Sequence, residues 1–298
     1  MEAKDFAVFY PMEKSQIVLI TGCSSGIGRE LLTIFNRSPF KIVATTLPHS
    51  FAALKRDPIA GSERIWVRRL DVVDYQKASQ IVVETTEKWG PVDILINNAG
   101  ISYRSVVEDM TVDDEQTQMQ INYLGPMHLI RECIPAMRER RSGRIINISS
   151  VGGMMAMPTM ASYSASKFAL EGASESLWYE LKPWNIKVTL VRPGFINSLA
   201  FRKVFYSNKR KETQGSTPYD SHYENMAQFV EKLMRRSPCT SESVARAIFK
   251  VARARRPRLR VPGTTDARIF YFLRRLLPRV LYHRLLYHFL PGIRQWGK

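Results

Sequence analysis

Cysteine is scarce in this chain of 298 residues: Cys23, Cys133 and Cys239 stand far apart, with no CxxC pair and no histidine at ligand spacing. That excludes a disulfide framework and a structural zinc, and no metal site is expected anywhere in the chain. The opening MEAKDFAVFYPMEKS lacks the apolar stretch and small-residue cleavage site of a secretory signal. Acids at Glu2 and Asp5 argue against a transit peptide, so a cytoplasmic location is the expectation. Repeats and low-complexity tracts are also missing, and a hydrophobic content of 45% suits one large core. Acids are scarce in one region only. From Lys232 to the end, 17 Lys and Arg face two acids, Glu242 and Asp266, which puts nearly all of the net +17 there.

What is present first is an alternation. Short β-branched runs at 17 to 20, 41 to 46, 64 to 70, 92 to 96, 143 to 149 and 186 to 191 are too short for ordinary helices and too uniformly apolar for a sheet with one wet face. Helical periodicity separates them, most clearly over 74 to 89, 113 to 140 and 161 to 181. The pattern predicts an α/β fold, a doubly wound parallel sheet of the Rossmann kind, with ligands outside the carboxyl ends of the strands. One catalytic domain over 15–262 is expected, with 198–240 as a polar and aromatic excursion across its surface and 263–298 as a basic helical extension.

The first strand runs into Thr21-Gly-Cys-Ser-Ser-Gly-Ile-Gly28 and then a helical pattern. Glycines at 22, 26 and 28 let the backbone turn sharply and approach a pyrophosphate, with the next helix presenting its N-terminus to the anion. Ser24, Ser25 and Ile27 share that turn. A plain tight turn explains three glycines equally well in isolation; the strand before and the helix after favour the phosphate reading.

The spacing GxxxGxG, together with NNAG at 97 to 100 and YSASK at 163 to 167, resembles the short-chain dehydrogenase/reductase family over roughly residues 15 to 200. The stretch 150 to 177 is most similar to the branch of estradiol 17-beta-dehydrogenase type 1 and related retinol dehydrogenases. The resemblance implies an NAD(P)-dependent oxidoreductase that interconverts an alcohol and its carbonyl by hydride transfer.

Such chemistry needs a proton donor at the oxygen. Tyr163 is the candidate, and Lys167, one helical turn on, is placed to make a reluctant phenol more acidic. An ordinary exposed i, i+4 pair is the plainer alternative. The resemblance further implies that Lys167 binds the nicotinamide ribose, that Ser150 polarises the carbonyl, and that Asn122 holds a water in the proton relay. It also assigns cofactor contacts to Asp71 and Val72 after the third strand, to Asn98, Ala99 and Gly100 after the fourth, and to Pro193, Gly194 and Ser198 after the sixth. Asp71 could equally be a strand-end cap, Ser150 likewise, and Asn122 a helix-bending polar residue.

No acid stands among residues 44 to 50, where one would hold the ribose of NAD and repel a 2′-phosphate. NADP(H) is therefore favoured over NAD(H), with Ser24, Thr45, Thr46 and His49 as hydrogen-bonding candidates and Lys55 or Arg56 beyond them. Leu47 stands where the estradiol-dehydrogenase branch carries an arginine.

Met154, Met155, Met157 and Met160 supply an adaptable apolar loop near the candidate site, and Phe195, Ile196, Phe201, Phe205, Tyr206, Tyr219 and Tyr223 follow in the excursion. A lipophilic substrate of steroid, retinoid or long-chain type fits them; ordinary core filling is the alternative for any one methionine. In the basic tail, the twelve strongly apolar residues between Ile269 and Leu290 would contribute about −4 to −7 kcal/mol to insertion, and four arginines would cost about 2.5 to 3.5 kcal/mol each. A membrane span is thereby excluded. Two short amphipathic helices divided at Pro278 are expected over 264–298, lying either on a membrane surface or against the catalytic domain or a second subunit. Nucleic-acid binding lacks any recognisable fold behind it. A homodimer or homotetramer is what the resemblance implies. The rival reading of the whole chain is a dinucleotide-binding sensor or scaffold without turnover.

Overall fold

A computed structural model describes residues 15–198 and 205–297. The six β-branched runs become β1 (Ile17–Ile20), β2 (Lys41–Thr46), β3 (Ile65–Arg69), β4 (Ile94–Asn97), β5 (Gly143–Ile148) and β6 (Ile186–Arg192). A seventh, β7 (Arg260–Pro262), pairs Leu190 with Arg260 and Val191 with Val261. All pairings are parallel and the order is β3-β2-β1-β4-β5-β6-β7, so the chain reverses its direction of winding between β1 and β4. That switch point is where an α/β sheet opens a ligand crevice.

Alternation along the strands explains the two layers of helices. Val18 and Ile20 pack toward α1 (Gly26–Asn36) and α9 (Ser241–Arg253), whose Leu31, Phe35, Val244 and Ile248 are fully buried. Leu19 faces the other way, among side chains of α3 (Tyr75–Trp89), α5 (Gly125–Glu139) and α6 (Ala161–Leu181). A sheet covered on both sides must be apolar on both faces, which is why these strands are continuous hydrophobic runs. The architecture is the doubly wound Rossmann fold.

The helical pattern over 113 to 140 is interrupted. It forms α4 (Val112–Met119), a π-helical turn (Gln120–Leu124) and then α5. The surface excursion contains two helices, α7 (Asn208–Glu212) and α8 (Asp220–Arg236); Phe201, expected to line it, lies outside the described residues. Between α1 and α3 lies α2 (Pro48–Arg56). Pro278 separates α10 (Thr265–Leu276) from α11 (Arg279–Phe289), because a proline starts a helix but cannot donate within one. No helix of the described residues is long and apolar enough to cross a membrane.

Candidate active site

At the end of β1 the chain is stitched to the end of β4. The Thr21 hydroxyl accepts from the backbone N–H groups of Asn98 and Ala99, both at 3.0 Å, and the Asn98 amide donates back to the carbonyls of Thr21 and Gly22 at 2.9 and 3.0 Å. Gly22 and Gly26 take φ of +72° and +55°, conformations that L side chains rarely adopt. A Cβ at Gly28 would collide with the Gly22 carbonyl oxygen. Ser25 occupies the N-cap of α1 without a side-chain cap, and both Ser24 and Ser25 are exposed. A side-chain-free turn leading to an uncapped helix start is what a pyrophosphate requires, so these residues fit a nicotinamide dinucleotide. The Ile27 side chain is buried and anchors the first turn of α1 in the core.

Asp71 receives the Val73 N–H at 3.2 Å, and Val72 packs against Gly125, where any side chain would strike the Val72 carbonyl. The buried Thr45 hydroxyl donates to the Ile20 carbonyl at 3.3 Å. The next residue, Thr46, carries a buried hydroxyl that lacks a hydrogen-bond partner among the described residues.

Four expected residues converge at the carboxyl ends of β4 and β5. Ser150 caps a short 3-10 turn (Val151–Gly153), accepting from the Gly152 N–H at 3.0 Å, and Gly152 lies between its hydroxyl and the Tyr163 ring. A Cβ at Gly152 would come within 2.9 Å of the Tyr163 ring, so a glycine there lets the two meet. Asn122 sits inside the π turn, an irregularity that often marks a functional position. Its amide donates to the Ile101 carbonyl at 2.9 Å and to the Ser166 hydroxyl at 3.0 Å, and accepts from the Ile101 N–H at 2.9 Å. Ser166 in turn donates to the Tyr163 carbonyl at 2.7 Å. Gly100 stands beside the group: a Cβ there would lie 3.1 Å from the Asn122 amide oxygen and 3.6 Å from the Lys167 ammonium.

Lys167 is held differently from the simple i, i+4 picture. Its ammonium donates to the Ile148 carbonyl at 2.9 Å and lies 5.9 Å from the Tyr163 ring centroid. Burial brings its pKa down to about 8, opposed by the negative charge of Glu171. The Tyr163 phenol is pushed up by burial, and the bond with Ser150 and the charge of Arg104 pull it back. Arg104, which sequence pattern did not single out, thus adds a positive charge that favours the phenolate. Its backbone N–H donates to the Phe205 carbonyl at 2.8 Å.

Glu171 was also missed. It receives Arg192 through two bonds of 2.7 and 2.5 Å and Arg260 at 3.1 Å, and Arg260 continues to Glu175 at 2.5 Å. This buried network ties α6 to β6 and β7, directly behind Lys167. The signal lay in the spacing Lys167 to Glu171, one turn apart and both on a helix.

Pro193 and Gly194 form a turn clamped from the C-terminal segment. The Thr264 hydroxyl accepts from the Gly194 N–H at 2.8 Å, and the Asp266 carboxylate from the Phe195 N–H at 2.8 Å. A side chain on Gly194 would collide with that carboxylate. Ser198 is half-buried at the edge of the described residues. Met154 packs with Val151, Ala267 and Phe270, Met155 receives the Tyr282 hydroxyl on its sulfur at 3.7 Å, and Met157 packs among Met226, Val230 and Met234 of α8. The methionines therefore join the catalytic loop to the helices that enclose it.

A doubly wound sheet with a glycine turn at its switch point and a Ser–Tyr–Lys set at its strand ends defines a Rossmann-fold oxidoreductase. Residues 16–209 match the short chain dehydrogenase model, and the chain belongs to the short-chain dehydrogenase family. The 3-ketodihydrosphingosine reductase of Bacteroides thetaiotaomicron is 33% identical over 247 residues, 82% of this chain and 86% of that protein. Mouse dehydrogenase/reductase SDR family member 7B is 37% identical over 191 residues, 62% of this chain and 59% of its own length. Among solved structures, a short-chain dehydrogenase from Streptomyces avermitilis superposes with a TM-score of 0.77 at 29% identity, covering 88% of this chain and 92% of that one. The closed form of serine dehydrogenase complexed with NADP+ follows at a TM-score of 0.69 and 25% identity, covering 83% and 94%.

Proposed function

We propose that the protein interconverts a lipophilic secondary or primary alcohol and its carbonyl with NADP(H). The observation that carries this reading is the convergence of Ser150, Tyr163, Asn122 and Lys167 beyond the carboxyl ends of β4 and β5, with Gly152 between Ser150 and Tyr163 and Gly100 beside Asn122 and Lys167. A bound nicotinamide dinucleotide would supply or take up the hydride. Ser150 holds the substrate oxygen while Tyr163 delivers its proton to that oxygen during reduction, or receives one during oxidation. Asn122 and Ser166 fix the helix that carries Tyr163. Lys167 stands at the junction of Gly100 and the Ile148 carbonyl, where its ammonium would meet the cofactor's ribose.

Preference for NADP(H) is supported by the lack of an acid between Ala44 and Ser50 and by the unpartnered Thr46 hydroxyl at the end of β2. A neighbour of 25% identity binds NADP+. A lipophilic substrate is supported by the apolar enclosure of Met154, Met155, Phe270 and Tyr282, and by a relative named for reducing 3-ketodihydrosphingosine. The assignment nearest estradiol and retinol dehydrogenases rests on residues 150 to 177 alone. Self-association through α5 and α6 is supported by the exposure of Tyr179 on α6 and of Leu124 just before α5; the Arg274 guanidinium lies 5.6 Å from the Phe168 ring of α6.

Initial rates with NADPH and NADH against a panel of long-chain ketones and alcohols test the reading. Turnover of those substrates with NADPH ahead of NADH is expected; a clear NADH preference defeats the cofactor assignment, and activity confined to small polar alcohols defeats the substrate class.

A further inference from the structure

The exposed apolar surface of the protein is concentrated in one place. Of the 20 large hydrophobic or aromatic side chains exposed among the described residues, ten belong to the stretch from Ile269 to Phe289. Isolated exposed side chains are ordinary, but a contiguous group of this density marks an interaction surface.

Helical spacing sorts these residues cleanly. On α10, Ile269, Phe272, Leu273 and Leu276 recur at i, i+3, i+4 and i+7 and form one stripe, with Phe272 51% and Leu276 76% exposed. The opposite side of the same helix is the docked one: Ala267 is fully buried and Phe270 packs on Val151 and Met154 beside the candidate catalytic serine. On α11, Leu281, Leu285 and Phe289 form the corresponding exposed stripe, while Tyr282 is buried against Met155. Docking on the catalytic domain therefore accounts for the inner faces and leaves the outer ones without a partner among the described residues.

The charge around the stripe selects its occupant. Arg268, Arg274, Arg275 and Arg284 are all exposed. The sole acid between residues 263 and 298 is Asp266, and its carboxylate is engaged by the Phe195 N–H. A second copy meeting this face about a twofold axis would set the arginines against their own kind. An anionic lipid surface instead satisfies both halves of the pattern, with apolar side chains entering the acyl boundary and guanidinium groups meeting phosphate and carboxylate headgroups. Helices of 12 and 11 residues are too short to span a bilayer but suited to lie in its surface.

We infer that the outer face of α10 and α11 docks on anionic membrane surfaces, so that the same two helices meet the bilayer on one side and wall the site with Phe270 and Tyr282 on the other. The docking itself stands without any assumption about catalysis; only its use, delivery of a membrane-dissolved substrate, rests on the proposed oxidoreductase reading.

Flotation of the full chain with vesicles of phosphatidylcholine alone, and of phosphatidylcholine with about 30% phosphatidylserine, tests the inference. The intact chain is expected to float with the anionic vesicles and to be released as salt rises from about 0.05 to about 0.5 M. The double variant Phe272→Ser, Leu276→Ser should bind about tenfold more weakly at an unchanged melting temperature, and Arg268→Glu, Arg275→Glu should lose the preference for anionic vesicles. Tyr163→Phe should float as the wild type does, which separates failure of docking from failure of the enzymatic reading. No binding to anionic vesicles at low salt overturns the inference. So does a dimer, seen by sedimentation, that the Phe272→Ser, Leu276→Ser variant dissolves.

Discussion

Two helices border the candidate site, and they are built in opposite ways. α6 buries polar groups: Ser162, Ser164, Ser166, Lys167, Glu171 and Ser174 are each less than 9% exposed. α10 leaves apolar groups in the open, with Ile269 54% and Leu276 76% exposed. Both break the rule that places hydrophobic residues inside and polar ones outside, and such breaks concentrate where a chain does something besides fold. In α6 the cost of burying Ser166, Lys167, Glu171 and Ser174 is offset by bonds to Asn122, Ile148, Arg192 and Asn147, while the Ser162 hydroxyl has no partner among the described residues. In α10 the exposed apolar surface has no such compensation among the described residues.

The sharpest way to break the contrast is at its catalytic end. Tyr163→Phe removes one oxygen atom and should lower turnover by at least about a hundredfold while cofactor affinity, followed by nicotinamide fluorescence, stays near wild type. Unchanged turnover would reduce α6 to an ordinary polar helix.

Next in size is Glu171→Gln, which leaves Arg192 and Arg260 facing a neutral amide in a buried setting. A loss of about 3 kcal/mol in unfolding free energy is expected from denaturant titration. The same change acts on Lys167. Burial lowers that ammonium to about 8 and the Glu171 charge opposes the shift, so removing the charge lowers it further. In the wild type Lys167 is charged below about 8 and loses its proton as pH rises past that value. The kcat/KM for carbonyl reduction should therefore fall with rising pH from about 8, and Glu171→Gln should move that fall to lower pH. A profile flat to pH 10 in both proteins would show that the charge on Lys167 is not needed.

The smallest effect belongs to the other helix. Leu276→Ser should change the melting midpoint by no more than the equivalent of about 0.5 kcal/mol, since a side chain so exposed contributes little to the folded state. A large loss there would mean that α10 is packed in solution against something that stabilises it.

The sequence carried the sheet and α6 well and the rest unevenly, for identifiable reasons. β-branched runs bounded by turns marked β1 to β6, and the helix from Ala161 to Leu181 has the predicted ends. β7 was invisible because Arg260–Pro262 is three residues among arginines, and only pairing with β6 makes it a strand. The π turn at Gln120–Leu124 leaves a continuous helical pattern in the sequence, so the feature that surrounds Asn122 could not be seen. Thr45 and Thr46 are identical in type, and which hydroxyl turns into the sheet depends on register that composition does not carry. Glu171 was legible only as the residue one helical turn beyond Lys167, and Arg104, a single arginine with no such spacing to Tyr163, does not stand out in the sequence.

The clamp of Thr264 and Asp266 on Gly194 and Phe195 makes the end of the chain a handle on the active-site rim. Tension applied at the C-terminus passes through α11 and α10 and reaches the loop after β6 before it reaches any strand. Whatever seats those two helices, or tugs them, is mechanically connected to the backbone that follows Pro193.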